Sequence, residues 1–337
     1  LIDIRDMSLF GSHIRYGILM GIGLAFCLER LYQGAKYRNG FIASALFFLL
    51  YTFYSQVLSG VIAVVIVLGG LLFFVLWQRR QFIFLISSVL VLILGSTALI
   101  YYLSQPVNYP IPCVEQYDEM ESAWNLRSTL NYDSLDKRKQ PVASTLERYL
   151  SSKGLCANTK GVQTLTNKDI QFIETGFADV HETYGGIQAR LLDIRYQLHH
   201  ASNPSGHSIL ERIEYWKNAW AIIENHWMLG VGTGDVDDAM QEMYNKRQSP
   251  LTPERRLRAH NSYLTYYLTF GILGFLFFLF FQLKFIIQQW KWQQRVGFLF
   301  GLIALVTFLF EDTLESQMGI TMFVFFYAVF SRKITSK

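Results

Sequence analysis

Charge is scarce in this sequence: only 17% of its 337 residues are charged, where soluble domains sit near about a quarter. That scarcity excludes an ordinary soluble domain. A formal net charge of +4 is too mild for a nucleic-acid binder. Cysteines number only 3, of which Cys27 lies in an apolar stretch. No run shows the β-branched alternation of a sheet. Internal repeats and low-complexity tracts are absent. The chain opens at Leu1 without a basic leader or small-residue cleavage site, so no signal peptide is read, and the sequence is expected to be cut from a longer protein.

What is abundant is apolar and aromatic, 51% and 16% of residues, as in a polytopic membrane protein. Seven apolar stretches stand out: Ile14–Leu28, Phe41–Tyr54, Val57–Trp77, Phe82–Leu103, Ser262–Leu283, Val296–Phe310 and Gln317–Phe330. Several are shorter than the ~20 residues that cross a hydrocarbon layer of ~30 Å. The expected organisation is four spans in residues 1–103, a polar helical insert in 104–259, and three spans in 260–337.

Short loops set the orientation through their Lys and Arg content. Arg30, Lys36, Arg38, Arg79, Arg80, Lys284, Lys291, Arg295, Arg332, Lys333 and Lys337 gather on one side. The other side holds Arg5, Arg15 and the acids Asp3, Asp6, Glu311, Asp312 and Glu315. The basic side belongs in the cytoplasm, so the insert and residue 1 face outward. Cys113 and Cys156 both lie in that insert, where they could pair or remain free thiols.

The insert carries 17 basic and 20 acidic residues, so it has no strong field of its own. Leu146, Tyr149 and Leu150 fall on one helical face after Pro141. A further helix opens at Ser208 with Glu211 placed for a capping box. The segment GVGTG, Gly230–Gly234, follows a helical run instead of a strand, which argues against a phosphate loop and for a glycine turn between helices. The Asp235-Val236-Asp237 that follows is read as a helix start, with Asp235 as cap, rather than as a metal site.

The stretch RAHNSYLTYYLTFGILGF (258–275) poses a chemical question. A histidine at the wet end of a span can titrate near neutral pH and serve as a general base. Equally, His260 could be an interfacial residue bonded to backbone. Gly271 and Gly274 are expected to let helices pack closely in lipid. Arg212, Arg15, Arg255, Arg256 and Arg258 are candidate partners for an anionic group, because guanidinium binds oxyanions bidentately. Glu311, Asp312 and Glu315 either reflect charge asymmetry or orient a histidine or arginine.

His260-Asn261, nine residues, then Gly271-X-X-Gly274 resembles the signature of the O-antigen ligase and polymerase family. Ser208-X-X-X-Arg212-X-X-Tyr215-Trp216 and HWMLGVGTGD (226–235) are similar to the segment upstream of it. The resemblance implies an all-α, GT-C type integral membrane enzyme, with twelve spans in full length and a large helical periplasmic loop. It implies a bacterial inner-membrane glycosyltransferase with its active site facing the periplasm. Such an enzyme moves a glycan from undecaprenyl diphosphate to a hydroxyl acceptor with inversion, using no metal and no cofactor. The acceptor would be lipid A-core in a ligase; a polymerase, an O-linked protein glycosyltransferase or, outside the class, a transporter or flippase are the alternatives. By residue, His260 would be the base, Arg212 would grip the diphosphate with Arg15 and Arg258, and Asn261, Gly271 and Gly274 would support them. The family's Ser-Arg pair is missing from TFYSQVLSGVIAVV, where Gln56 or Leu58 stands at the arginine's place.

Overall fold

The computed structural model describes residues 13–55, 57–106, 117–138, 140–180, 186–199, 204 and 208–332. It is an all-α membrane protein, with no strand among the described residues. The helices are α1 (His13–Tyr32), α2 (Arg38–Ser55), α3 (Leu58–Gln78), α4 (Phe82–Ser104), α5 (Tyr117–Asn125), α6 (Val142–Ser152), α7 (Thr159–Thr164), α8 (Asn167–Glu174), α9 (Gly186–His199), α10 (Ser208–His226), α11 (Val236–Lys246), α12 (Ser262–Lys291), α13 (Arg295–Thr307) and α14 (Gln317–Phe330). All seven apolar stretches are helical. Of these, α3, α4 and α12 are long and apolar enough to cross a membrane, while α13 and α14 are shorter apolar helices.

The chain forms two compact units. One comprises Leu1–Ile93, Arg212–Ser249 and Arg256–Lys337; the other comprises Leu94–Glu211 and Pro250–Arg255. In the first, Ile18, Val64, Val67, Phe300, Ile303 and Phe323 form a core between α1, α3, α13 and α14. In lipid such helices associate by close packing and polar ties instead of by escape from water. A part-buried clamp supplies such a tie: Arg295 reaches Glu29 at 3.4 Å and Gln78 at 2.9 Å.

The second unit has a water-type core of Met120, Trp124, Leu146, Tyr149, Leu150 and Ile173. The face expected on α6 is the one that is buried. Asp169 completes a capping box on α8 with Thr166, and also accepts from the Tyr149 hydroxyl at 2.7 Å. Cys156 is disulfide-bonded and Cys27 is a buried free thiol. Cys113 lies outside the described residues, as does Gln56.

The sequence predicts close packing at the glycines of α12; Gly271 lies in a close approach and also breaks the helix, with φ 64° and ψ −166°. That backbone region is essentially reserved for glycine. A Cβ there would sit 2.1 Å from the Met228 carbonyl oxygen, and one at Gly230 would sit 2.4 Å from that of Thr269. The approach is therefore backbone to backbone, between α12 and the turn after α10. Gly274 is needed for a local reason: the break brings Phe270 against it, leaving 2.2 Å between the two β-carbon positions.

Candidate active site

The start of α12 is fixed from three directions. Asn261 caps the helix, its side-chain oxygen accepting from Tyr263 N–H at 3.0 Å and Leu264 N–H at 3.1 Å. From α10, the Trp216 indole donates to the Ala259 carbonyl at 2.9 Å. From α11, the Tyr244 hydroxyl donates to the Leu257 carbonyl at 2.7 Å. His260 takes the left-handed conformation, φ 46°, unusual for a side chain of its size.

Asp312, in the loop between α13 and α14, stabilises this backbone. Its carboxylate accepts from the His260 N–H at 2.8 Å and the Asn261 N–H at 2.9 Å, and from the Thr265 hydroxyl at 3.2 Å. The same side chain lies 3.4 Å from His260 Nδ1. An imidazole with one nitrogen facing a carboxylate has its other nitrogen set up to take a proton. Burial, and next the charge of Glu315, push the Asp312 carboxyl up to about 6. The Tyr215 ring packs against His260 with centroids 5.7 Å apart.

Arg212 reaches the neighbouring residues of that loop. Its Nε donates to the Phe310 carbonyl at 3.3 Å, and a terminal nitrogen pairs with Glu311 at 3.1 Å. Burial raises the Glu311 carboxyl, against the pull of Arg212. Since Glu311 and Asp312 are adjacent, Arg212 and His260 are held by consecutive residues of one loop.

Arg258 is engaged differently. It forks onto Asp237 at 2.5 and 2.6 Å and pairs with Glu315 at 2.7 Å. The Arg258 bond holds the Asp237 carboxyl below its usual range. Asp235 occupies the cap position of α11 without a side-chain capping bond. Arg15 stands half-buried on α1 and makes no ion pair among the described residues. Its neighbour Ile14 is tied to the start of α3 by the Ser59 hydroxyl at 3.1 Å.

A family model described as O-antigen ligase matches residues 43–279. The chain belongs to the O-antigen ligase family. No curated protein and no solved structure matches it. Membership makes it a glycosyltransferase-like enzyme of ligase or polymerase type, acting on glycan and lipid-linked substrates. The matched region of this O-antigen ligase family member contains Arg212, Arg258, His260, Asn261, Gly271 and Gly274; Arg15 and the 311–315 acids fall outside it.

From sequence alone the acids of residues 311–315 fit either charge asymmetry or orientation. In the structure Asp312 bonds the His260 segment and Glu311 pairs with Arg212. The pairing of Asp237 with Arg258 and the docking of the glycine turn on α12 are visible only in the structure. A weak signal for the second was present, since both segments are glycine-rich where a regular helix needs no glycine.

Proposed function

We propose that this protein is a GT-C type glycosyltransferase of the bacterial inner membrane, moving a glycan from undecaprenyl diphosphate to a hydroxyl of lipid A-core on the periplasmic face. The observation that carries the reading is the shared loop: Asp312 beside His260 and Glu311 on Arg212. A base and a cation are what this reaction needs together.

A sugar hydroxyl is a weak nucleophile. His260 takes its proton as the oxygen attacks the anomeric carbon from the face opposite the leaving group, which inverts that centre. The bond from carbon to the diphosphate oxygen breaks, and undecaprenyl diphosphate leaves with the electron pair. Charge grows on that diphosphate in the transition state, where a positioned arginine contributes most. Arg212 is that group; the phosphate replaces Glu311, whose partly buried carboxyl is already raised toward its neutral form. Arg15 adds a second cation from α1. Asp312 stabilises the imidazolium and, through the two N–H bonds, the strained backbone of His260. With the leaving group met by arginine, the reaction runs without a metal or cofactor.

The test is transfer by the purified full-length protein from glycan-charged undecaprenyl diphosphate, with and without a chelator. Glycan on lipid A-core in both conditions supports the reading. Growth of glycan on the carrier lipid would make it a polymerase, and loss with chelator would overturn the metal-free step.

A further inference from the structure

The helix α10 runs alongside α12 rather than over its end. The Trp216 indole meets Ala259, the Trp220 and Tyr267 rings lie 6.4 Å apart, and Trp227 lies level with Ile272. At that level three backbone bonds pass from one segment to the other. Val231 N–H donates to the Leu268 carbonyl at 2.8 Å, and Gly232 N–H to that of Thr269 at 3.0 Å. Ile272 N–H, which a regular helix would point at Leu268, donates to the Trp227 carbonyl at 2.9 Å. The turn thus supplies the partners that the break at Gly271 removes from α12. In lipid such groups cannot be left to water, and irregular backbone persists only where protein satisfies it.

Gly271 lies about 14 Å along α12 from its first residue, at 1.5 Å per residue, within a span that crosses a hydrocarbon layer of ~30 Å. What surrounds α12 there also surrounds the turn docked on it. At this level α12 exposes Phe270 (44%) and Leu273 (69%), and the neighbouring segment exposes Trp227 (51%), Met228 (52%) and Leu229 (76%). The polar Glu224, Asn225 and His226 are exposed on the last turn of α10, nearer the α12 start than Leu229. Tryptophans mixed with polar groups above an apolar tip are the profile of the boundary between headgroups and acyl chains.

We propose that the end of α10 and the turn after it form a re-entrant membrane insertion, in which Trp227, Met228 and Leu229 contact the acyl chains of the bilayer. This places part of an otherwise polar insert inside the membrane, independently of the reaction assigned above.

The test uses the full-length protein carrying Cys27→Ser in lipid nanodiscs, with a nitroxide at Leu229→Cys. Its collision rates with oxygen and with a water-soluble nickel chelate are compared with those at Leu273→Cys on α12 and at Lys160→Cys. The expected result is an oxygen-to-nickel ratio at 229 equal to that at 273 and several-fold above that at 160. A ratio matching residue 160 would overturn the insertion by showing water at the turn. Exclusion of both reagents would overturn it by showing a protein cover. Met228→Cys repeats the reading at a second exposed position if the first variant does not assemble.

Discussion

Two arginines proposed for the same task sit in different surroundings. Arg212 is one quarter exposed and holds the partly buried Glu311 by a single nitrogen, whereas Arg258 is 41% exposed and forks onto Asp237, itself 59% exposed. The acids report the difference. Glu311 is raised by burial, and Asp237 is lowered by its arginine. A single-nitrogen contact gives way to a phosphate more readily than a two-point fork does. Arg258, tied to Asp237 and Glu315, therefore acts as a clamp between α11 and the 313–315 turn, and Arg212 is the arginine suited to exchange ligands.

The comparison can be broken in graded steps. The largest effect is expected at His260, which both arginines flank in sequence or space: His260→Ala should lower the transfer rate by about 100- to 10,000-fold, the usual span for a general base. Arg212→Gln should follow, at about 100- to 1,000-fold on kcat, as for loss of one transition-state donor, and Arg212→Lys should recover only part of it because the fork is lost. Next comes pH. Asp312 is raised from near 4 to about 6, so the folded protein binds this proton more tightly than the unfolded chain. Stability from this group is full below the unfolded value and falls as pH rises to about 6. Activity, which needs the carboxylate, rises over the same window. Asp312→Asn should remove this group's contribution to the acid limb of a rate-against-pH profile and flatten its part of the stability trend seen by thermal melting. The smallest effect belongs to Arg258→Gln: a few-fold at most in rate, and about 1 kcal/mol or less in stability, since the pair is open to solvent. A double-mutant cycle with Asp237→Asn would read that coupling.

Much of this was legible in the sequence, for physical reasons. Apolar runs fix helices in lipid because no other element satisfies the backbone there, and a His-Asn pair before such a run marks a capped, wet helix start. The burial of Leu146, Tyr149 and Leu150 follows from helical periodicity alone. The pairings did not follow. Asp312 stands 52 residues from His260 and Asp237 stands 21 from Arg258, and nothing local tells an acid which cation it will meet. Close approach and helix breakage call for the same residue, and Gly271 serves both: Met228 lies against it, and its φ of 64° shows the break, which the sequence does not reveal.

In the proposed reaction His260 receives the acceptor's proton, a step that single-turnover transfer from glycan-charged undecaprenyl diphosphate isolates. Full-length His260→Ala that retains the melting temperature of the parent should bind donor within a few-fold of the parent and slow the transfer step about 100-fold or more. A transfer step as fast as the parent's would contradict it.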